Sequence, residues 1–244
     1  SSDSRVSGTI GNVDIEGCAI SNSGGSGVDV RAYSGSHILG AAISDCTISN
    51  SNAGIAGNAY YHMSIIDSIG ITRCTISNSG IGVGMGATDS TTATIADIRI
   101  TDSTISGSAN DGIWIATANG GTFGKFGIDK STITGSGWNG VSTKTWAGGS
   151  IGKLEAHESN IYGNSEFGIM NQAGTTFDAT DNWWGNGGAG VNAGKPGEEG
   201  NNRAGSVLYT SSEAWRKSYG QTTSQTLGAV TYTPWSTSKF PEAP

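Results

Sequence analysis

Charge is scarce in this 244-residue sequence: Asp, Glu, Lys and Arg make up 14% of it, and the formal net charge is −7. No cluster of Lys and Arg is offered to a phosphate backbone, which argues against a nucleic-acid partner. No apolar run approaches the roughly 18 residues that a membrane-spanning helix requires. Proline is almost missing; there are four, and the first is Pro196. Everything before it can donate a backbone hydrogen bond at each residue, as strands inside a sheet must. Cysteine is confined to Cys18, Cys46 and Cys74, an odd count that leaves at least one thiol unpaired. No secretory leader is evident and Ser1 falls in mid-repeat, so the sequence reads as a fragment or a mature product.

Glycine is abundant (40 residues), and Ser, Thr and Asn accompany it, a composition often seen in disordered tracts. A repeat argues otherwise. The stretch Ile71-Thr72-Arg73-Cys74-Thr75-Ile76-Ser77-Asn78-Ser79-Gly80 occurs six times in varied form. Its Cys/Ser position recurs at Cys18, Cys46, Cys74, Ser103, Ser131 and Ser159, and a single step in the series is longer than the rest, by one position. So regular a period, about 28 residues, specifies a repeat architecture.

Each repeat carries three short apolar groups. The first begins at Ile10, Ile38, Ile66, Ile95, Phe123 or Ile151; the second holds the Cys/Ser position and Ile20, Ile48, Ile76, Ile105, Ile133 or Ile161. The third contains Val28, Ile55, Val83, Ile113, Val141 or Ile169. In-out alternation with period two predicts a half-buried strand for each group, and helical spacing is not sustained before residue 180. Three strands per repeat, with no hairpin signal between them, wind as one coil of a solenoid in which each coil pairs with the next. The cysteines then stack as small buried groups without bridging. Gly27, Gly54, Gly82, Gly112, Gly140 and Gly168 precede the third strand in every coil, where glycine tolerates unusual backbone angles.

The repeat form I-x-x-C/S-x-I-S-N-S-G-x-G-V resembles the right-handed parallel β-helix family of pectate-lyase-like and NosD-like proteins over about residues 5–190. The resemblance implies an all-β, right-handed parallel β-helix of about six coils over residues 1–180. It also implies an irregular capping segment over 181–244 belonging to the same unit. Asn182-Trp183-Trp184-Gly185 is similar to the N-W-W-G ending that follows the last coil in many secreted members, and Thr233-Pro234-Trp235 to the strand after it. Cys18, Cys46, Cys74, Ser103, Ser131 and Ser159 stand where members often carry an inward Asn ladder. In the capping segment, Glu213–Tyr219 reads as one short helix capped by Ser211 and Ser212, and Val207–Tyr209 and Ala229–Thr233 as closing strands.

Stacking converts repeat positions into columns. The residue before the Cys/Ser runs Gly17, Asp45, Arg73, Asp102, Lys130, Glu158, alternating in sign after the first coil as an ion-pair ladder does. The third strand and its flanking turns are less regular. Outward positions there include Asp29, Arg31, Tyr60, Tyr61, Asn110, Trp114, Trp138, Asn139 and Trp146, taken as substrate-binding candidates. Flat aromatic faces stack on sugar rings, and amides and charges bond hydroxyls or uronates. In the family this strand lines a polysaccharide groove, so the resemblance points to the same face.

Catalytic candidates on that face are Asp111, Glu166 and Lys144. Asp111 and Glu166 occupy nearly equivalent turns two coils apart, about 9.6 Å along the axis, close to the separation of an inverting acid/base pair. Lys144, on the coil between, is an alternative lyase base. The family's N-x-D with G-H-G, D-P-H and R-x-P-x-x-R signatures are absent, as is any His/Cys cluster at metal-ligand spacing. Calcium among Asp178, Asp181 and Glu198-Glu199 is a candidate cofactor that no EF-hand spacing supports. The expectation is an extracellular or cell-surface protein that binds, and as a hydrolase or lyase cleaves, a polysaccharide. The alternative is a non-enzymatic adhesion or structural solenoid.

Overall fold

A computed structural model describes residues 8–61, 63–88, 92–185, 203–204, 230–231, 236 and 238–242. The expected 211–219 helix, Val207–Tyr209, Trp235, Glu198 and Glu199 lie outside these residues. Among the described residues every regular element is a strand. The first coil runs through Thr9–Glu16, Ala19–Ser21 and Ser26–Tyr33, and the pattern repeats to Phe167–Gln172 in the sixth. Strands of one kind pair only with their own kind, in parallel, giving sheets of eight, six and seven strands. The molecule is a parallel β-solenoid of six coils whose step is the one that the sequence spacing predicts. Of the expected closing strand at 229–233, Val230–Thr231 is described, and it pairs in parallel with Phe177–Asp178.

The core is the interior of the coil. Ile43, Ile48, Ile55, Ile66, Ile71 and Ile76 are fully buried there, and equivalent residues stack directly, as in the register Ile48↔Ile76↔Ile105↔Ile133. Strict alternation fails in the first sheet. Its inward residues are spaced three and then two, as in Ile95, Ile98 and Ile100, because each long strand turns two successive residues outward.

Corners are made by left-handed backbone. The whole charged column, Asp45, Arg73, Asp102, Lys130 and Glu158, has φ between 48° and 54°, and Gly17 has 63°. Residues other than Gly or Asn pay a steric cost there. Each coil compensates by donating the corner N–H to the next coil, as from Asp45 to Thr72 O (3.1 Å) and from Lys130 to His157 O (3.2 Å). The ion-pair ladder is present where the structure pairs Arg73 with Asp45 through two hydrogen bonds of 2.7 and 2.5 Å, and Lys130 with Glu158 at 4.0 Å. Asn22, Asn50, Asn78, Gly107, Gly135 and Gly163 make the corresponding left-handed corner before the third sheet.

Glycine before the third strand has a different cause from the one expected. None of Gly27, Gly54, Gly82, Gly112 or Gly140 has a left-handed φ; each is required by space. A Cβ on Gly54 would lie 2.3 Å from Ile76 Cγ2 and 2.6 Å from the Gly82 carbonyl oxygen, and one on Gly112 would lie 2.7 Å from Gly140 O. The backbone of one coil rests on the backbone of the next.

The three cysteines are free thiols, Cys46 and Cys74 fully buried. Burial pushes the Cys74 thiol pKa up. Their column is more than apolar filling. Cys18 N–H points to Cys46 Sγ (3.4 Å), Cys74 N–H to Ser103 Oγ (3.1 Å), Ser103 N–H to Ser131 Oγ (3.2 Å) and Ser131 N–H to Ser159 Oγ (3.1 Å). Asn182 ends the ladder: its Oδ1 accepts Ser159 N–H at 2.9 Å, and its Nδ2 donates to Ala156 O and Ala179 O. A second ladder, unanticipated, runs through the buried Ser51, Ser79, Ser108, Ser136 and Asn164 at the next corner, closed by Ser136 N–H to Asn164 Oδ1 (3.1 Å).

Trp183 and Trp184 are 5% and 1% exposed against the last coil, and Trp183 pairs with Asn160 as an isolated parallel bridge. Phe240 N–H donates to Asn160 Oδ1 (2.9 Å) while Asn160 Nδ2 donates to Phe240 O (3.1 Å), fastening residues near the chain's end to the same place. Lys239 lies over the rings of Tyr162 and Trp183. Bulky rings thereby cover an otherwise unpaired sheet end.

Candidate functional site

The corner before the third sheet gathers five of the sequence-selected residues. Register places Asn110, Trp138 and Glu166 in one column, with Trp138 N–H donating to Asn110 O (3.2 Å) and Glu166 N–H to Trp138 O (2.9 Å). Asp111 is one residue further on, in register with Asn139. Asp111 and Glu166 are therefore offset by one register position as well as by two coils. Trp138 is 40% exposed and Glu166 is exposed, whereas Asp111 (5%) and Asn139 (2%) are buried.

Asp111 Oδ1 accepts two hydrogen bonds from Asn139, from its backbone N–H at 3.1 Å and from Nδ2 at 2.8 Å. Loss of solvent pushes the Asp111 pKa up to about 6; the Asn139 bonds oppose this and the negative charge of Glu166 adds to it. Such a carboxyl is half-protonated in mildly acidic water, the condition for a general acid. Asn139 spends its amide N–H on Asp111, and its buried Oδ1 has no donor among the described residues.

The outer face of the third sheet holds a second group. Trp114, Lys144 and Trp146 are half-buried, and Lys144 Nζ lies 5.3 Å from the Trp146 ring centroid. Burial pushes the Lys144 pKa down. The extended chain from Asn139 to Lys144 covers roughly 16 Å, so Lys144 sits at the opposite end of the strand from Asp111 and Glu166. Trp114 lies between them, in register with Gly84 and Ser142.

A third group occupies the first two coils. Asp29 and Arg31 alternate outward on one strand and form a two-bonded ion pair. Tyr33 is in register with Tyr60, and its ring meets Tyr61 edge to face at 4.9 Å. Tyr61 holds a φ of 62°, unusual for an aromatic residue. Between this group and Trp114, the outward positions of the third coil are Gly84, Gly86 and Thr88. The face is most exposed on the first coil; further along, the outward Ala56, Ala116, Ser142, Met170 and Gln172 are 8%, 0%, 2%, 6% and 1% exposed.

Other polar clusters escaped the column reading. Thr143 Oγ1 donates to Asn171 Oδ1 (2.8 Å) inside the coil, where earlier coils carry Met85 and Ile115. On the first sheet, buried Glu155 meets Arg99 Nη2 at 2.7 Å, Lys125 Nζ at 3.0 Å and Lys153 Nζ at 2.5 Å. Loss of solvent raises its pKa, but hydrogen bonds from Lys153 and Lys125 and the charge of Arg99 overcome that and hold it at about 2. The partners come from different coils of the first strand type, so only stacking reveals the cluster. Among the described residues no three His, Cys, Asp or Glu side chains are placed to hold a metal ion. Asp178 accepts bonds from Thr180 N–H and Oγ1, and faces His157 at 3.8 Å. No helix among the described residues is long and apolar enough to cross a membrane.

Comparison with protein-family models, with curated proteins and with solved structures found no match to this chain.

Proposed function

We propose that the outer face of the third sheet binds an extracellular polysaccharide, with Asp111 as the candidate proton donor for its cleavage. The observation that carries this reading is the spacing of large side chains along that face. Tyr33 and Tyr60 stand at one end and Trp114 at the other, three coils from Tyr33 along the axis, or roughly 14 Å, and four residues from the tyrosine column along the strand direction, or roughly 13 Å, with Gly84 and Gly86 between them. Two aromatic platforms separated by a low floor suit a chain of sugar rings that stacks at both ends, with Asp29, Arg31 and Asn58 available to hydroxyls. The resemblance of the repeat and of Asn182-Trp183-Trp184-Gly185 to secreted pectate-lyase-like and NosD-like β-helices supports the same partner and an extracellular or cell-surface location. Asp111 supplies the proton-donor role because a carboxyl of pKa about 6 retains its proton where an ordinary aspartate has lost it.

A second reading, a non-enzymatic surface module, is favoured by the burial of the outward Ala56, Ala116, Ser142, Met170 and Gln172 and by the distance of Lys144 from Asp111. The two readings separate in one experiment. Wild type, Trp114→Ala, Tyr60→Ala and Asp111→Asn are compared on a panel of neutral and acidic polysaccharides by affinity electrophoresis and by product release. The proposal expects binding by wild type, about tenfold weakened by either aromatic deletion, equivalent to about 1.4 kcal/mol, and cleavage lost in Asp111→Asn with binding retained. Binding without cleavage in any variant leaves the module reading. No binding to any polysaccharide overturns both the partner and the face.

A further inference from the structure

The first sheet carries a cavity of about 280 Å³ on its outer face, on a different sheet from the aromatic platforms. Two adjacent columns build it over four coils. One runs Asn12, Gly40, Ser68, Asp97; the other Asp14, Ala42, Gly70, Arg99. Long polar side chains stand at both ends, on the first and fourth coils, and the two middle coils offer only small residues. The result is a trough about 14 Å from end to end by the coil spacing, with Asn12 Oδ1 and Ser68 Oγ flanking the space above Gly40 and a bare floor at Ala42 and Gly70.

Its polar groups are mostly hydrogen-bond acceptors. Asp14 and Asp97 bring carboxylates, while Asn12 and Ser68 bring an amide and a hydroxyl that both donate and accept. Asp97 Oδ1 is buried and has no hydrogen-bond donor among the described residues, which costs free energy until a donor arrives. Arg99 does not neutralise that end of the trough from within. Its guanidinium lies against Gly127, on the next coil, and bonds Glu155 at 2.7 Å.

We infer that this trough is a binding site for an uncharged saccharide, separate from the third-sheet face. Sugar hydroxyls can donate to the Asp97 and Asp14 carboxylates and to Asn12 Oδ1, and the apolar face of a sugar ring fits the bare floor of Ala42 and Gly70. A uronate would bring its carboxylate against Asp14 and Asp97 and is rejected by like charge. An extended peptide has no sheet edge to pair with here, because the trough lies on the face of a sheet whose middle strands are paired on both sides.

Gly70 makes the site testable without damage to the coil. A Cβ there meets nothing within 4 Å and its φ is not left-handed, so Gly70→Leu fills the trough with little strain on the backbone. Methyl hexosides and a methyl hexuronate are titrated into wild type, Gly70→Leu, Asp97→Asn and Trp114→Ala, with backbone amide shifts followed by NMR. The expected result is binding of the hexosides with shifts at Gly40, Ala42, Ser68 and Gly70. It is weakened at least tenfold by Gly70→Leu and several-fold by Asp97→Asn, and unchanged in Trp114→Ala. Hexosides that shift none of these amides, binding indifferent to both trough variants, or tighter binding of the hexuronate would each overturn it. Loss of polysaccharide binding in Trp114→Ala concerns only the third-sheet face, so the two sites fail independently.

Discussion

Two carboxylates of similar low exposure stand on different faces of the coil stack. Asp111, at the lip of the third sheet, is 5% exposed; Glu155, on the outer face of the first, is 7% exposed. Burial alone raises a carboxylate's pKa, and for Asp111 it does, to about 6. Glu155 goes the other way, to about 2. The difference lies in what hides them. Asp111 is covered by the coil's own packing and meets one neutral amide, whereas Glu155 is covered by three cationic side chains that are themselves 32–61% exposed. Accessible area therefore does not tell a carboxyl of raised pKa from one of lowered pKa; the charge of the covering groups does. That is why Asp111 enters the proposed chemistry and Glu155 stays out of it.

The largest expected effect tests how rigidly the Asp111 lip is held. Gly112→Ala would set a Cβ 2.7 Å from Gly140 O and 2.9 Å from Ile133 Cγ2. Since the first of these is backbone of the next coil, relief requires the coils to part. We expect a loss of about 3 kcal/mol, at the upper end for overpacked sites, read as a lowered midpoint in urea unfolding. An unchanged midpoint would mean that the coils slide freely at this corner, and the geometry around Asp111 would then be soft.

How much of this was legible in the sequence follows the same division. The solenoid was readable because its signal is a spacing, and the one place where period two misleads, the first strand, fails through two outward residues at a bend. Stacked identities such as Ile48, Ile76, Ile105 and Ile133 need no side-chain geometry to be recognised. The glycine column was visible but its cause was not, because contact between coils is invisible to a chain read one coil at a time. Glu155 was overlooked for a related reason. Its partners Arg99, Lys125 and Lys153 come from three coils and two different columns, so no single repeat position displays the cluster. Asp111 was selected as an outward residue in a turn, yet its burial, the source of its raised pKa, depends on Asn139 one coil away.

A smaller effect is expected from Asp111→Asn, which keeps the oxygen that accepts from Asn139 and removes the ionisable group. The folded pKa of Asp111 lies above its ordinary value of 3.8. Wild type therefore has its full stability below about pH 4 and loses some of it as pH rises through about 6. A displacement of about two pH units corresponds to about 3 kcal/mol, at about 1.36 kcal/mol each. The asparagine variant escapes this loss, so it should be more stable than wild type at pH 7 by up to that amount, with the two converging below pH 4. Thermal unfolding followed across pH 3–8 checks this, and parallel curves would remove the raised pKa from Asp111.

Glu155→Gln should show the opposite sign and the smallest size. The folded pKa is depressed, so Glu155 contributes stability above its ordinary value of 4.5, and that contribution fades as pH falls through about 2. The full displacement would correspond to about 3 kcal/mol, but Arg99, Lys125 and Lys153 remain in contact with water, which screens the pairs and reduces the figure to about 1 kcal/mol. Glutamine keeps the shape and leaves three cations facing a neutral amide. The variant should be less stable than wild type at pH 7 by that amount, and added salt should narrow the gap. If Glu155→Gln and Asp111→Asn shifted stability in the same direction at pH 7, burial and not the covering charge would govern both groups, and the distinction between the two faces would collapse.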